Sequence, residues 1–375
     1  MKTITQKTSL EKLESYGQSI WLDYIRRDII HNGQLRNLIE QYGIRGVTSN
    51  PAIFEKAIDD SNDYDEDINR LIRQGKSAHE IYEILTVQDI QEAADIFRPL
   101  YDKTEGQDGF VSLEVSPHLA HETEGTIHEA RDLWKKVNRP NVLIKIPATA
   151  EGFPAIRQCI NEGINVNVTL IFGLPSYMKV AMAYIEGLES RLEHNKPIER
   201  IASVASFFLS RIDVLVDEML EDAIDRNNNT EIARLLHGKV AVSCAKIAYQ
   251  MYMEIFGSDK FRKLARRGAR PQRLLWASTS TKNPSYSDIK YVELLIGPET
   301  VNTMPLKTVE AYLDHGAPNS KLEKEAAEAD HLLAKLSDVG ISMDDIASRL
   351  EAEGIEKFIK PYDSLINKLK EKGAA

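Results

Sequence analysis

The chain has 375 residues, 42% of them apolar and 28% charged, which is enough to bury a large core. Its 47 basic and 57 acidic residues leave a formal net charge of −10, an argument against nucleic-acid or anionic-membrane partners, since both favour a basic surface. No apolar run approaches the ~18 residues of a membrane span, the N-terminal Met1-Lys2-Thr3-Ile4-Thr5-Gln6 lacks an apolar signal core, and Cys159 and Cys244 form no CxxC pair, so a cytoplasmic protein with reduced cysteines is the simplest reading.

Short apolar, β-branched runs recur along the chain at residues 20–23, 46–51, 110–115, 142–147, 165–170, 202–207, 274–278 and 291–296. Most are separated by segments long enough for a helix, such as 26–42, 127–137, 154–162, 176–193 and 211–225. Strands alternating with helices predict an α/β fold with a parallel sheet, and eight such units predict a closed (β/α)8 TIM barrel. A bare barrel takes about 250 residues, so the excess needs a home. One is a helical insertion after the second strand, about 55–107, where Ser77-Ala78-His79-Glu80 reads as a helix start and Ile81, Ile84 and Leu85 follow at helical spacing. The other is a helical C-terminal extension, about 306–375, in which Leu332, Leu333, Leu336, Ile346 and Leu350 recur at helical spacing and read as scaffold; Leu365 and Leu369 there serve no chemistry. The whole, 1–375, reads as one domain.

Lys145 stands out because it interrupts the apolar run Val142-Leu143-Ile144-Lys145-Ile146-Pro147. A buried ammonium is costly, and desolvation lowers a lysine's pKa, which makes the amine a candidate nucleophile toward a carbonyl substrate. Read alone, the segment equally suits a buried ion pair or a lysine snorkelling from a strand end. Alternation tips the balance, because successive strand residues face opposite sides. If the apolar set packs on outer helices, Asp23, Glu114, Lys145, Asn167 and Thr169 project into the barrel near the C-terminal strand ends, where barrel enzymes build their sites. The sixth run is ambiguous, since Ser206 shares a face with Val204. Two carboxylates and an amine converging on one mouth point to catalysis.

Those residues lie in segments that resemble the transaldolase family. Residues 46–54, Gly-Val-Thr-Ser-Asn-Pro-Ala-Ile-Phe, look like its first signature, and 142–149 resemble the second, around a Schiff-base lysine. Residues 112–117, 167–172 and 206–211 match in the family's order, and the resemblance spans about 17–305. It implies a class I aldolase-type barrel that moves a dihydroxyacetone unit between sugar phosphates in the pentose phosphate pathway. The resemblance makes Lys145 the imine-forming amine, Asp23 the proton acceptor at the C4 hydroxyl, and Glu114 with Thr169 the holders of a proton-shuttling water. It puts Asn50, Asn167 and Ser278 on the three-carbon fragment's hydroxyls, and Ser206 and Arg211 on the phosphate. The family's arginine two residues beyond the serine is replaced here by Ser280, and Lys282 is the candidate for its charge. Phe207 stands where many relatives have proline, and the run 277–284 resembles a bacterial and cyanobacterial branch.

Other signals count for less. His118, His121, Glu122 and His128 cluster without an HExxH pattern, so no metal is expected. No GxGxxG or GKS/T loop is present, so no nucleotide cofactor is implied. Asn167-Val168-Thr169 and Asn228-Asn229-Thr230 fit the glycosylation pattern and carry no weight without secretion. The expected partners are sugar phosphates; a homo-oligomer is neither required nor excluded. Two alternatives stay open: a fructose 6-phosphate aldolase on the same barrel, where the resemblance implies another residue in place of Glu114, and a non-catalytic sugar-phosphate sensor, which needs no imine or proton relay.

Overall fold

In a computed structural model that describes residues 8–374, eight parallel strands close into a barrel in chain order. They are β1 (Gln18–Leu22), β2 (Gly46–Val47), β3 (Phe110–Glu114), β4 (Val142–Pro147), β5 (Val166–Ile171), β6 (Ser203–Phe208), β7 (Arg273–Ala277) and β8 (Thr300–Met304). β8 pairs back on β1 from Gln18↔Thr300 to Leu22↔Met304, which closes the sheet on itself. The N-terminal hexapeptide considered as a signal core lies outside the described residues.

Seven strands fall within or beside the runs expected of them, and the eighth does not. Residues 291–296 are not a strand: Lys290–Glu293 is a short helix, and the barrel is completed by Thr300–Met304. Apolarity alone does not separate a buried helical turn from a buried strand, and the Tyr291 hydroxyl is held outside the sheet by Asp213 at 2.7 Å. The helical segment expected at 26–42 breaks into Arg27–His31 and Gln34–Tyr42 at Gly33, whose φ is 83°. The other four expected helices stand at Thr123–Val137, Gly152–Glu162, Leu174–Glu193 and Ser210–Asp225.

The barrel is filled from the side by Trp21. A Cβ on Gly46 would lie 2.7 Å from the indole, so only glycine on β2 lets this ring cross the interior. Phe110 packs against it with ring centroids 6.1 Å apart. Above this apolar plug the interior turns polar, because the registers Glu114↔Lys145 and Lys145↔Asn167 set three polar residues on one face.

Between β2 and β3 the chain forms the helices Pro51–Asp59, Asp65–Arg73 and Ala78–Lys103; Ser77 and Glu80 cap the last reciprocally. After β8 come Leu306–His315, Ala326–Ala334 and the C-terminal helix Met343–Ala374. That last helix packs on the inserted helices and on β5. Gly354 lets it approach closely, since a Cβ there would come within 3.0 Å of Leu170. Tyr362 stacks edge-on against Tyr82 at 5.1 Å, Lys368 pairs with Asp59, and Lys372 lies 2.7 Å from Asp65. Inserted and C-terminal helices thus grip each other beside the C-terminal end of the barrel.

Candidate active site

Lys145 is the fourth residue of β4, a strand buried throughout. Its Nζ donates to the Ser49 carbonyl at 2.6 Å and lies 3.4 Å from Glu114 Oε2. The two side chains are only 6% and 7% exposed, so little solvent screens the pair. Glu114 also accepts from Thr169 Oγ1 at 3.5 Å. A register irregularity between Val168 and Ile171 and a positive φ of 57° at Leu170 mark a bulge beside Thr169, a local distortion of the kind that re-aims side chains at sites. Burial pushes the Glu114 carboxyl above its ordinary value; Lys145 and Thr169 pull it back part of the way.

Asp23 follows β1 directly, its N–H bonded to the Met304 carbonyl at 2.8 Å. Its Oδ1 accepts from Thr48 Oγ1 at 2.6 Å, and Thr48 Oγ1 lies 2.8 Å from Thr303 Oγ1. Asp23 keeps some accessibility through the cavity it borders, but burial still raises its pKa; the Thr48 bond and the charges of Lys145 and Lys282 oppose this. The mouth therefore holds two carboxyls that take up protons more readily than exposed ones.

The remaining expected residues divide. Asn50 caps the helix Pro51–Asp59, accepting from Ile53 N–H at 3.0 Å, which leaves its NH2 end for another partner. Ser206 does face inward with Val204, and its hydroxyl donates to Asn167 Oδ1 at 2.7 Å. The other end of the Asn167 amide donates to Ser112 Oγ at 3.1 Å, so Asn167 joins the site through Ser206. Ser278, at a φ of 55° just after β7, meets Ser210 with hydroxyls 2.8 Å apart. Arg211 sits in the first turn of Ser210–Asp225, and its buried Nη1 has no hydrogen-bond partner among the described residues. Burial draws its pKa down, with Glu353 opposing. Lys282 stays at the rim: its Nζ bonds Ser280 Oγ at 2.8 Å, and it lines a neighbouring acidic cleft. Desolvation of the ammonium and the Arg211 charge lower its pKa, although much of the side chain is exposed.

A cavity of about 100 Å³ at the barrel mouth brings together Asp23, Asn50, Lys145, Thr169, Ser206, Arg211 and Ser278. Thr48, Phe208, Leu275, Ala277, Thr303 and Phe358 complete its wall, and none of these six is marked as a site residue by the sequence motifs. Thr48 was readable, since it alternates with Asn50. Thr303 went unseen with its strand, and Phe358 belongs to the C-terminal helix, where nothing in the local sequence distinguishes a cavity wall from scaffold. A larger cavity, about 370 Å³, lies at the opposite end and is bordered by Arg45, Asp108 and Arg273. Those three are tied to one another by ion pairs of 3.4 and 3.1 Å, and the N-terminal end of such barrels serves stability, so size does not identify the site here. No group of three metal-ligating side chains occurs among the described residues. His118, His121 and His128 each turn to a different carboxylate, Asp363, Glu151 and Asp132.

A (β/α)8 barrel with a buried lysine between two carboxyls at its C-terminal mouth defines an aldolase-type barrel. The family model for transaldolase and fructose-6-phosphate aldolase matches residues 20–369, and the chain belongs to this family. It is 50% identical to a transaldolase of Trichodesmium erythraeum and 50% identical to a transaldolase 2 of a Nostoc species, in both cases over 97% of each chain. Against a transaldolase of Saccharopolyspora erythraea it is 47% identical over 98% of both chains.

Proposed function

We propose that this chain is a transaldolase of the pentose phosphate pathway, a transferase that moves a dihydroxyacetone unit from a ketose phosphate to an aldose phosphate through an imine on Lys145. The donor is sedoheptulose 7-phosphate or fructose 6-phosphate, and the acceptor glyceraldehyde 3-phosphate or erythrose 4-phosphate. The observation that carries this reading is the buried Lys145 Nζ, 3.4 Å from Glu114, in the cavity that Asp23 also lines.

The amine adds to the donor's C2 carbonyl and water is expelled, with Glu114 and Thr169 holding the water that passes the proton. A carboxyl whose pKa burial has raised is suited to giving and retaking that proton. The protonated imine draws in the electrons of the C3–C4 bond as Asp23 takes the C4 hydroxyl proton, and the aldose phosphate departs. The enamine then attacks the acceptor aldehyde, Asp23 returns the proton, and hydrolysis frees the lysine. Asn50 and Ser278 bind hydroxyls of the three-carbon unit, and Asn167 accepts from another once the Ser206 hydroxyl turns from it to the phosphate. Arg211, with an open donor at a helix N-terminus, takes the phosphate with Ser206, and Lys282 adds charge at the rim.

The mutual grip of inserted and C-terminal helices supports one domain, 1–375, with the insertion at about 55–107 and the extension from about 306. No described helix is long and apolar enough to cross a membrane. Both cysteines are buried free thiols, which supports a cytoplasmic placement.

Borohydride reduction in the presence of fructose 6-phosphate, followed by mass spectrometry, is expected to leave a reduced adduct on the peptide holding Lys145. The Lys145→Ala variant should lose the adduct and all turnover while keeping its far-ultraviolet circular dichroism. Adducts on other lysines, or turnover without Lys145, defeat the proposal. Adding erythrose 4-phosphate separates a transferase, which makes sedoheptulose 7-phosphate, from an aldolase, which leaves dihydroxyacetone.

A further inference from the structure

We propose that Phe358 of the C-terminal helix determines the fate of the bound three-carbon unit: its ring caps the Lys145 imine and withholds water, so the unit waits for an acceptor aldose instead of leaving as free dihydroxyacetone. This rests on the transaldolase reading and adds to it a residue outside the barrel strands.

The ring centroid lies 5.9 Å from Lys145 Nζ, and Phe358 is 6% exposed. It forms part of two cavity walls at once. On one side is the catalytic cavity of about 100 Å³ with Asp23 and Lys145; on the other is a void of about 10 Å³ bordered by Glu114, Leu170 and Ile355. A water takes up about 30 Å³ of the liquid and needs roughly 10–15 Å³ of free space with several polar partners. The void beside Glu114 sits at that limit, and Val115, Leu170, Ile355 and Phe358 make it largely apolar. Phe358 is the lining residue common to this void and the catalytic cavity, so its ring stands between them. The three-carbon unit, bonded to Lys145, occupies the catalytic cavity and displaces water from it.

Release and transfer differ in their demand for water. After C3–C4 cleavage the unit is an enamine on Lys145. To leave, its terminal carbon must first take a proton, which restores the protonated imine. One water then adds at C2, forming a C–O bond and passing a proton to a carboxylate; the C2–N bond breaks, and the nitrogen takes a proton as the ketone forms. This consumes the water expelled when the imine was made. Transfer instead forms a C–C bond to the incoming aldehyde, with no water at that stage. A ring that joins neither reaction but separates Glu114's second cavity from the imine selects against release.

The ring is held by the backbone of its helix. Gly354, one turn earlier, seats the helix on Leu170, and Tyr362, one turn later, is packed on Tyr82 and on His118 at 5.7 Å. Truncating Phe358 to alanine joins the two cavities and adds room for water beyond the one that Glu114 and Thr169 hold.

The test uses the full chain with fructose 6-phosphate, with and without erythrose 4-phosphate, and measures dihydroxyacetone against sedoheptulose 7-phosphate. The Phe358→Ala variant is expected to raise the ratio of released to transferred unit about tenfold or more, with borohydride trapping at Lys145 retained. The Phe358→Leu variant keeps most of the bulk and should fall between wild type and alanine; it also serves if the alanine variant does not fold. Trapping by both folded variants, or by Phe358→Leu alone, at the wild-type ratio overturns this inference and leaves the transaldolase reading intact. Failure of the wild type to trap the ketose overturns that reading, and this one with it.

Discussion

Arg211 carries an open Nη1 donor in a buried setting, a state that is costly unless an anion completes it. A charge-assisted hydrogen bond contributes about 1.5–3 kcal/mol, so Arg211→Met should raise KM for fructose 6-phosphate by roughly 10- to 150-fold while turnover with unphosphorylated fructose changes little. Equal losses on both ketoses would place Arg211 in the fold and not on the phosphate. Asp23→Asn, which can still accept from Thr48, should slow C3–C4 cleavage by about 10²–10⁴ yet still trap ketose as an adduct; normal cleavage would remove its assigned role. Asp23, Glu114 and Lys145 were legible in the sequence because a strand shows its faces by alternation, and a polar residue among β-branched ones names the inner face. Thr303 and Phe358 carry no such mark. Thr303 is one of several polar residues in a polar strand, and Phe358 is an apolar residue on an amphipathic helix.

At the scale of elements, helical spacing marks the C-terminal helix as scaffold and is silent on what lies beneath it. Ile346, Leu350, Leu365 and Leu369 form a buried stripe, as helical spacing predicts. What sequence spacing does not reveal is the surface beneath the stripe, which here includes the barrel mouth as well as the inserted helices. The eighth strand failed for a related reason: Thr300–Met304 is less apolar than the preceding 291–296, because its Thr303 serves the interior hydroxyl cluster with Thr48. The helix's attachment rests on its apolar face. Leu365 is 1% exposed, and Leu365→Ala should cost about 2–5 kcal/mol in urea unfolding. The partly exposed pair of Lys368 with Asp59 should contribute little, so Lys368→Ala is expected to change stability by no more than about 1 kcal/mol. The reverse order would mean that charges, and not packing, hold the C-terminal helix over the mouth.

For the molecule as a whole, the two carboxyls at the barrel mouth oppose stability. Burial raises both Asp23 and Glu114 above their ordinary values of 3.8 and 4.5, so between those values and the raised ones the folded chain holds protons that the unfolded chain has released. Stability falls with rising pH wherever the native state binds more protons, so each carboxyl costs nothing well below its ordinary pKa and costs most above its raised one. Other carboxyls act in the opposite sense: Asp67, held low by its bond to Arg70, adds stability as pH rises through its own window. The dependence of the wild type alone is therefore a sum of opposing terms, and a difference isolates the site. Comparing wild type with the Asp23→Asn, Glu114→Gln double variant, the two melting temperatures should nearly coincide at acid pH, below the ordinary values of 3.8 and 4.5. As pH climbs toward neutrality the double variant should become progressively the more stable, while remaining inactive. Thermal melts across that range check this, and a difference that shrinks with rising pH would show that Lys145 and Thr48 stabilise the ionised carboxylates by more than burial disfavours them.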